Sequence, residues 1–237
     1  MPTPFSGFPA EMPRFFKALK KNNDREWFQP RKEQFVQFVH QPMTDLVMAL
    51  NQQLQKIAPD YVADPKKAIF RIYRDTRFSS DKTPYKTHIG AFFTPRRNVN
   101  SGAGLYMHFS DDSVFVGGGV YHPEREVLLA VREHVRDNHK ALRKILAQSK
   151  VKSMFGEIGG GKLTRPPKGF DPEHPAAELI KHKDWLLSSE LEPSIATTAA
   201  AYTEILSRFR LIVPFVEFFN SPLSARKRIK EPLEVQR

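Results

Sequence analysis

Leu105-Tyr106-Met107-His108-Phe109-Ser110-Asp111-Asp112-Ser113-Val114-Phe115-Val116 is the stretch from which the fold is read. Leu105, Met107 and Phe109 alternate with Tyr106 and His108, so one face of a strand is apolar and the other mixed. Asp111-Asp112 supplies a turn into a second strand over Val114–Val116. Working backwards, His88–Thr94 reads as another strand, joined to the first by a polar connection from Pro95 to Gly104 that holds Asn98, Asn100 and Ser101. Ala68–Arg74 reads as a strand before that, with Phe70 and Ile72 on one face and Ile69, Arg71 and Tyr73 on the other. Consecutive strands with short links predict an antiparallel meander.

The flanks carry helical periodicity. Met12, Phe15, Phe16 and Leu19 make an i, i+3, i+4, i+7 stripe, and Pro13 suits a first turn. Asn22-Asn23 ends that helix, Asp24 can cap the next, and helical signal with a break or kink at Pro42 runs to Pro59. After Pro123, Val127, Leu128, Val131 and Val135 form a buried helical face, and Asn138 is read as the start of a further helix. Residues 153–175 are rich in Gly and Pro, Ala176–His182 reads as helical, Trp185–Leu187 as strand-like, and Ser194–Phe219 as a helix kinked at Pro214. The expectation is an α+β fold: N-terminal helices, a central antiparallel meander sheet of about four or more strands, and C-terminal helices. It is read as one domain over residues 1–223, followed by a basic, disordered tail over 224–237.

Composition narrows the chemistry. The chain has 237 residues and no cysteine, which removes disulfide scaffolds, Cys nucleophiles, thiolate zinc sites and Cys-ligated iron–sulfur clusters. Pro2, Pro4, Pro9, Glu11 and Pro13 interrupt the start, so no signal-peptide core is read there. The longest apolar run, Leu211–Phe219, is too short for a span and contains Pro214 and Glu217. A soluble, cytoplasmic protein without membrane contact is expected; no oligomeric state follows. None of the eight histidines forms H-E-x-x-H, so neither a metal nor a cofactor is expected. No G-x-S-x-G elbow appears. Gly156-Glu-Ile-Gly-Gly-Gly161-Lys162 approaches a phosphate-binding loop, but Leu163 lacks the hydroxyl that would hold magnesium, so a flexible hairpin or lid is the better reading.

The net charge of +11 is placed unevenly. Residues 66–97 hold nine basic residues and two acids, residues 224–237 hold five and two, and the rest is near neutral. Within the first of these lies Arg71-Ile-Tyr-Arg74-Asp75-Thr-Arg77-Phe78-Ser-Ser-Asp81-Lys82-Thr-Pro-Tyr85-Lys86. Guanidinium groups bind phosphate or carboxylate in a bidentate manner, and lysines add point charges. Two acids cannot neutralise the seven cations from Lys66 to Lys86, so some arginines should be free for a ligand and others should pair with Asp75 or Asp81. Arg71, Arg74, Arg77, Lys82 and Lys86 are the candidate ligand-binding set. Gly118 and Gly119 join them, because glycines between a strand and a helix let an anion approach backbone N–H groups; taken alone, a bulge or tight packing at the strand end is the simpler reading of these two, but beside the basic loop on a neighbouring strand they read as part of an anion pocket.

The pattern Arg71-x-x-Arg74-Asp75-x-Arg77-Phe78 followed by Asp81-Lys82-x-Pro84-Tyr85 resembles the signature of a bacterial family, domain of unknown function 2461. Phe8, Leu19, Asn22-Asn23 and Trp27-Phe28 resemble the family's start, and Gly117-Gly118-Gly119 and Arg165–Phe170 also look familial. The similarity covers roughly residues 5–223. It implies an α+β fold of about this length and carries no assigned activity.

Three functional readings follow. In the first, the arginine segment binds a phosphate-bearing or other anionic ligand, a nucleotide or nucleic acid among them, with Tyr73, Phe78 and Tyr85 able to stack on bases, although Phe78 reads as core. In the second, the chain is an enzyme acting on a phosphorylated or carboxylated small molecule; Asp75 or His122 moves a proton and Tyr85 or Lys82 assists. In the third, the arginines only stabilise the fold.

Overall fold

The computed structural model describes residues 5–95 and 102–230, the last seven as backbone only. The middle of the expected polar connection, with Arg96 and Arg97, and the end of the expected tail lie outside the described residues. The order of elements is helices, then sheet, then helices with a returning strand. Four strands, β1 (Ile89–Phe93), β2 (Gly104–Phe109), β3 (Val114–Val120) and β4 (Trp185–Leu191), form an antiparallel meander in the order β1-β2-β3-β4. The α+β architecture is therefore the one the periodicities predict. Packing groups the chain into two compact units: Met1–Phe93, Tyr106–Val116 and Ser189–Phe209 form the first, and Thr94–Leu105, Gly117–Ser188 and Arg210–Arg237 the second.

The first unit begins with α1 (Glu11–Lys21), which buries the predicted stripe Met12, Phe15, Phe16 and Leu19. Lys20 reaches Asp112 at 2.7 Å and Asp111 at 2.5 Å, tying the end of α1 to the β2–β3 turn. Asp24 caps α2 (Arg25–Phe28) by accepting from the Trp27 N–H at 2.8 Å. Trp27 is half-buried, its ring 5.6 Å from that of Phe15 and covered by the Arg31 guanidinium at 4.5 Å. After a 3-10 turn at Gln29–Arg31 come α3 (Lys32–Phe35), a π-helical turn at Val36–His40, and α4 (Gln41–Ile57). Pro42 explains the wide turn. An interior proline removes one backbone bond and clashes with the carbonyl four residues back, and a π turn relieves both. Asp64 then caps the single turn of α5 (Pro65–Ala68), accepting from the Lys66 N–H at 3.0 Å.

Ala68–Arg74 does not form the strand expected. It pairs with 84–91 only through isolated antiparallel bridges, Ile69 with Ala91 and Tyr73 with Tyr85. The N–H groups of Phe70, Arg74 and Lys86 donate to Gly90, Pro84 and Ile72 at 2.8–2.9 Å. Pro84 has no N–H to return, which interrupts the ladder. Tyr85 turns its own backbone groups the other way: its N–H donates to Asn23 Oδ1 at 3.0 Å and its carbonyl accepts from Asn23 Nδ2 at 2.9 Å.

In the second unit, β3 continues through the three glycines rather than ending at Val116. α6 (Arg125–Leu146) contains the break expected near Asn138, as one non-helical residue within a longer helix (φ −122°, ψ 20°). α7 (Ser149–Phe155) and α8 (Ala177–Ile180) follow. Arg132 is buried and closes the end of α8, donating to the carbonyls of Ile180 at 3.1 Å and His182 at 3.0 Å. Trp185 is fully buried, with its indole N–H donating to Leu179 O at 3.1 Å and its ring 5.7 Å from that of Phe219. Asn220 clamps Ala103, taking its N–H and giving to its carbonyl, both at 2.9 Å. The last helix, α9 (Ala200–Lys230), starts later than expected, after a 3-10 turn at Pro193–Thr197, and carries the backbone past Pro214 and Pro222 to Lys230. Among the described residues no helix is long and apolar enough to cross a membrane.

Candidate functional site

The arginine segment lies wholly in the first unit, and its charges divide into two sets. Asp81 shapes the loop: its carboxylate accepts from the Thr83 N–H at 2.9 Å and hydroxyl at 2.8 Å, and pairs with Arg74. The Thr83 backbone bond, then the Arg74 guanidinium, hold the Asp81 carboxyl down at about 2. Asp75 accepts from both the backbone and the guanidinium of Arg77, with Nη2 to Oδ2 at 2.7 Å, and this bonding lowers its pKa. Arg74 and Arg77 therefore meet the acids as the ion-pair reading requires. Lys82 donates to the Thr76 carbonyl at 2.9 Å.

Arg71 and Lys86 form the second set. Lys86 Nζ donates to the Arg71 carbonyl at 2.8 Å and stands 5.4 Å over the Phe70 ring. Partial burial and then the Arg71 charge lower its pKa. Among the described residues neither cation has an ion-pair partner. Asp75 feels the Arg71 charge only at longer range, and an anion bound between the two cations would relieve their mutual repulsion.

The aromatic residues correct the sequence reading. Phe78 is not core: it is 95% exposed, with the Arg77 guanidinium 5.6 Å from its ring. Tyr85 is core, 1% exposed and stacked on Phe28 at 4.1 Å. Burial raises its pKa. Tyr73 is exposed. Propensity alone could not order these three, because Phe78 sits in a loop that carries no periodicity.

Gly118, Gly119 and His122 belong to the second unit. An added Cβ on Gly118 would lie 2.6 Å from Ile212 Cγ2. On Gly119, whose φ is +140°, it would lie 1.9 Å from the Trp185 carbonyl oxygen. The close approach that glycine permits here is thus to other parts of the chain. His122 is exposed, has φ +44°, and donates its backbone N–H to Asp184 Oδ1 at 2.7 Å. Asp184, which sequence reasoning missed, is buried and also accepts from the Gly161 N–H at 3.2 Å. The glycine-rich 156–162 stretch is pinned rather than free: Gly159 exchanges hydrogen bonds with Leu186 at 2.8 and 3.4 Å, and Lys162 bridges His182.

A second feature missed at the sequence level is a run of rings in the first unit. Tyr106 and His108 of β2, Phe115 of β3, Phe70 and His88 lie together. The signal was present in the alternation of β2, where every second residue faces away from Leu105, Met107 and Phe109. Burial, the nearby His108 and the Lys86 charge push the His88 pKa down to about 4. A folded state that resists protonation loses stability as pH falls through the unfolded value of about 6.5, until His88 titrates in the folded state as well. Urea midpoints measured from pH 7 to pH 4 should therefore fall, and His88→Gln should reduce that slope. Among the described residues no group of three or more His, Asp or Glu is placed to hold a metal ion.

These features define an α+β protein that carries, in the bridged segment 70–86, exposed aromatics and two cations without an ion-pair partner among the described residues. The chain belongs to the family described as conserved hypothetical protein (DUF2461), whose model matches residues 11–218. No curated protein and no solved structure matches it.

Proposed function

We propose that the chain binds a phosphate-bearing anion through the 66–86 segment, with Arg71 and Lys86 as its principal contacts and Arg77 and Lys82 at its margin. The observation that carries this reading is the Arg71–Lys86 pair: Lys86 Nζ is held at the Arg71 carbonyl, neither cation has an ion-pair partner among the described residues, and burial and then the arginine's charge disfavour the ionised lysine, with Asp75 acting on Arg71 only at longer range. Arg74 and Arg77 support the reading differently: their pairs with Asp81 and Asp75 hold the loop that presents the other cations. Proton transfer by Asp75 draws less support, because a carboxylate whose pKa is lowered is a weaker base at neutral pH.

The test is binding of fluorescent polyphosphate, mononucleotides and short oligonucleotides at two salt concentrations. Affinity should fall as salt rises, with a log–log slope of about −0.7 per neutralised phosphate on a single strand. Arg71→Ala with Lys86→Ala should weaken binding by at least about tenfold, since a charge-assisted contact contributes about 1.5–3 kcal/mol, while leaving the melting temperature near that of the parent. Binding that ignores both salt and this double substitution would defeat the proposal.

A further inference from the structure

Resting on that anion-binding reading, we infer that the ligand is a single-stranded nucleic acid, whose phosphates lie along Arg71 and Lys86 and whose bases stack on the ring-covered outer face of the sheet in the first unit. The argument begins with strand alternation. Leu105, Met107, Phe109, Val114 and Val116 are fully buried, so Tyr106, His108 and Phe115 emerge on the opposite face. Their rings are contiguous: Tyr106 and Phe115 are 5.9 Å apart, and His108 lies almost parallel to Phe115 at 5.2 Å and 8°. His88 extends the run, 4.9 Å from His108. Phe70, 40% exposed, extends it on the other side at 6.1 Å from Tyr106.

Gly90 makes this surface possible. A Cβ there would stand 3.0 Å from the Tyr106 hydroxyl oxygen and 3.3 Å from His108 Cβ, so the absent side chain leaves room for the tyrosine to lie across β1.

The cations adjoin the rings. Lys86 Nζ stands over Phe70, and Lys86 is joined to Arg71 by its hydrogen bond. Single-strand binders combine these two elements, a positive track for the backbone and aromatic faces for the bases. A small phosphate would need only the first. A duplex hides its base faces and would use only the first as well. Charge complementarity at the margin and π-faces at the centre therefore favour one occupant.

The experiment compares three probes of about twelve units at low salt: oligothymidylate, an abasic phosphodiester strand of the same length, and a duplex. The expected result is that oligothymidylate binds most tightly and that Phe70→Ala weakens it about tenfold while leaving the abasic strand unaffected. Tyr106→Leu, checked by its melting curve, should repeat that pattern. If all three probes bind alike and Phe70→Ala changes none of them, the base platform is overturned and the anion-binding reading stands. If Phe70→Ala weakens all three equally, the platform is likewise overturned. If none of the probes binds, the anion-binding reading itself falls.

Discussion

Gly119→Ala should lower the melting temperature by about 10 °C or more, or yield no folded protein. The methyl group would be placed 1.9 Å from the Trp185 carbonyl oxygen, and that atom is backbone within a strand, so it cannot swing aside. The conformation adds to the cost, because φ +140° is hostile to any L side chain. Strain and overpacking together come to about 4 kcal/mol or more, against a total stability of about 5–15 kcal/mol for a typical protein. Gly156→Ala is the control. Gly156 also has a positive φ, +69°, but an added Cβ meets nothing within 4 Å. With ψ −126° its backbone still disfavours an L side chain, so it should cost the strain alone, about 1–3 kcal/mol. Thermal melts followed by circular dichroism will separate the two, and coincident curves would contradict the packing role assigned to Gly119.

Tyr85 yields the second large effect. Tyr85→Ala removes a fully buried ring stacked on Phe28 and should destabilise by about 3–5 kcal/mol. Tyr85→Phe keeps the ring and should cost less than about 1.5 kcal/mol. Polyanion binding by the Phe variant should match the parent, since the cations are untouched. Urea titrations and the binding assay together decide the point. A Phe variant that is stable but no longer binds would place the Tyr85 hydroxyl in the site rather than in the core.

The period of the apolar residues made the sheet legible. The alternation of Leu105, Met107 and Phe109 needs no knowledge of distant residues, and neither does the α1 stripe. Ala68–Arg74 carries a similar pattern yet forms only bridges, because its regularity depends on a partner that contains Pro84 and that takes six residue steps, from Tyr85 to Ala91, to pass the four from Ile69 to Tyr73. The glycines at 117–119 were ambiguous for the same reason: what fills the space beside Gly119 is Trp185, far along the chain. Within the candidate site, the excess of cations over acids was plain from counting. Which of them would remain without an ion-pair partner among the described residues was not. Arg74 and Arg77 find Asp81 and Asp75 by loop geometry, while Arg71 and Lys86 are brought together only when 69–74 pairs with 84–91. Phe78 shows the limit of hydrophobicity as a guide, since a residue at a loop tip can be apolar and still stand in water.

The two tryptophans fall one to each unit, and their surroundings differ. Trp27 is half-buried beneath a guanidinium, whereas Trp185 is sealed among Leu179, His182 and Phe219. Indole emission shifts to longer wavelength in a polar, mobile environment, so the blue part of the protein's intrinsic fluorescence belongs to Trp185 and the red part to Trp27. Each compact unit therefore carries its own built-in optical reporter, and a quencher admitted from solvent will extinguish Trp27 first.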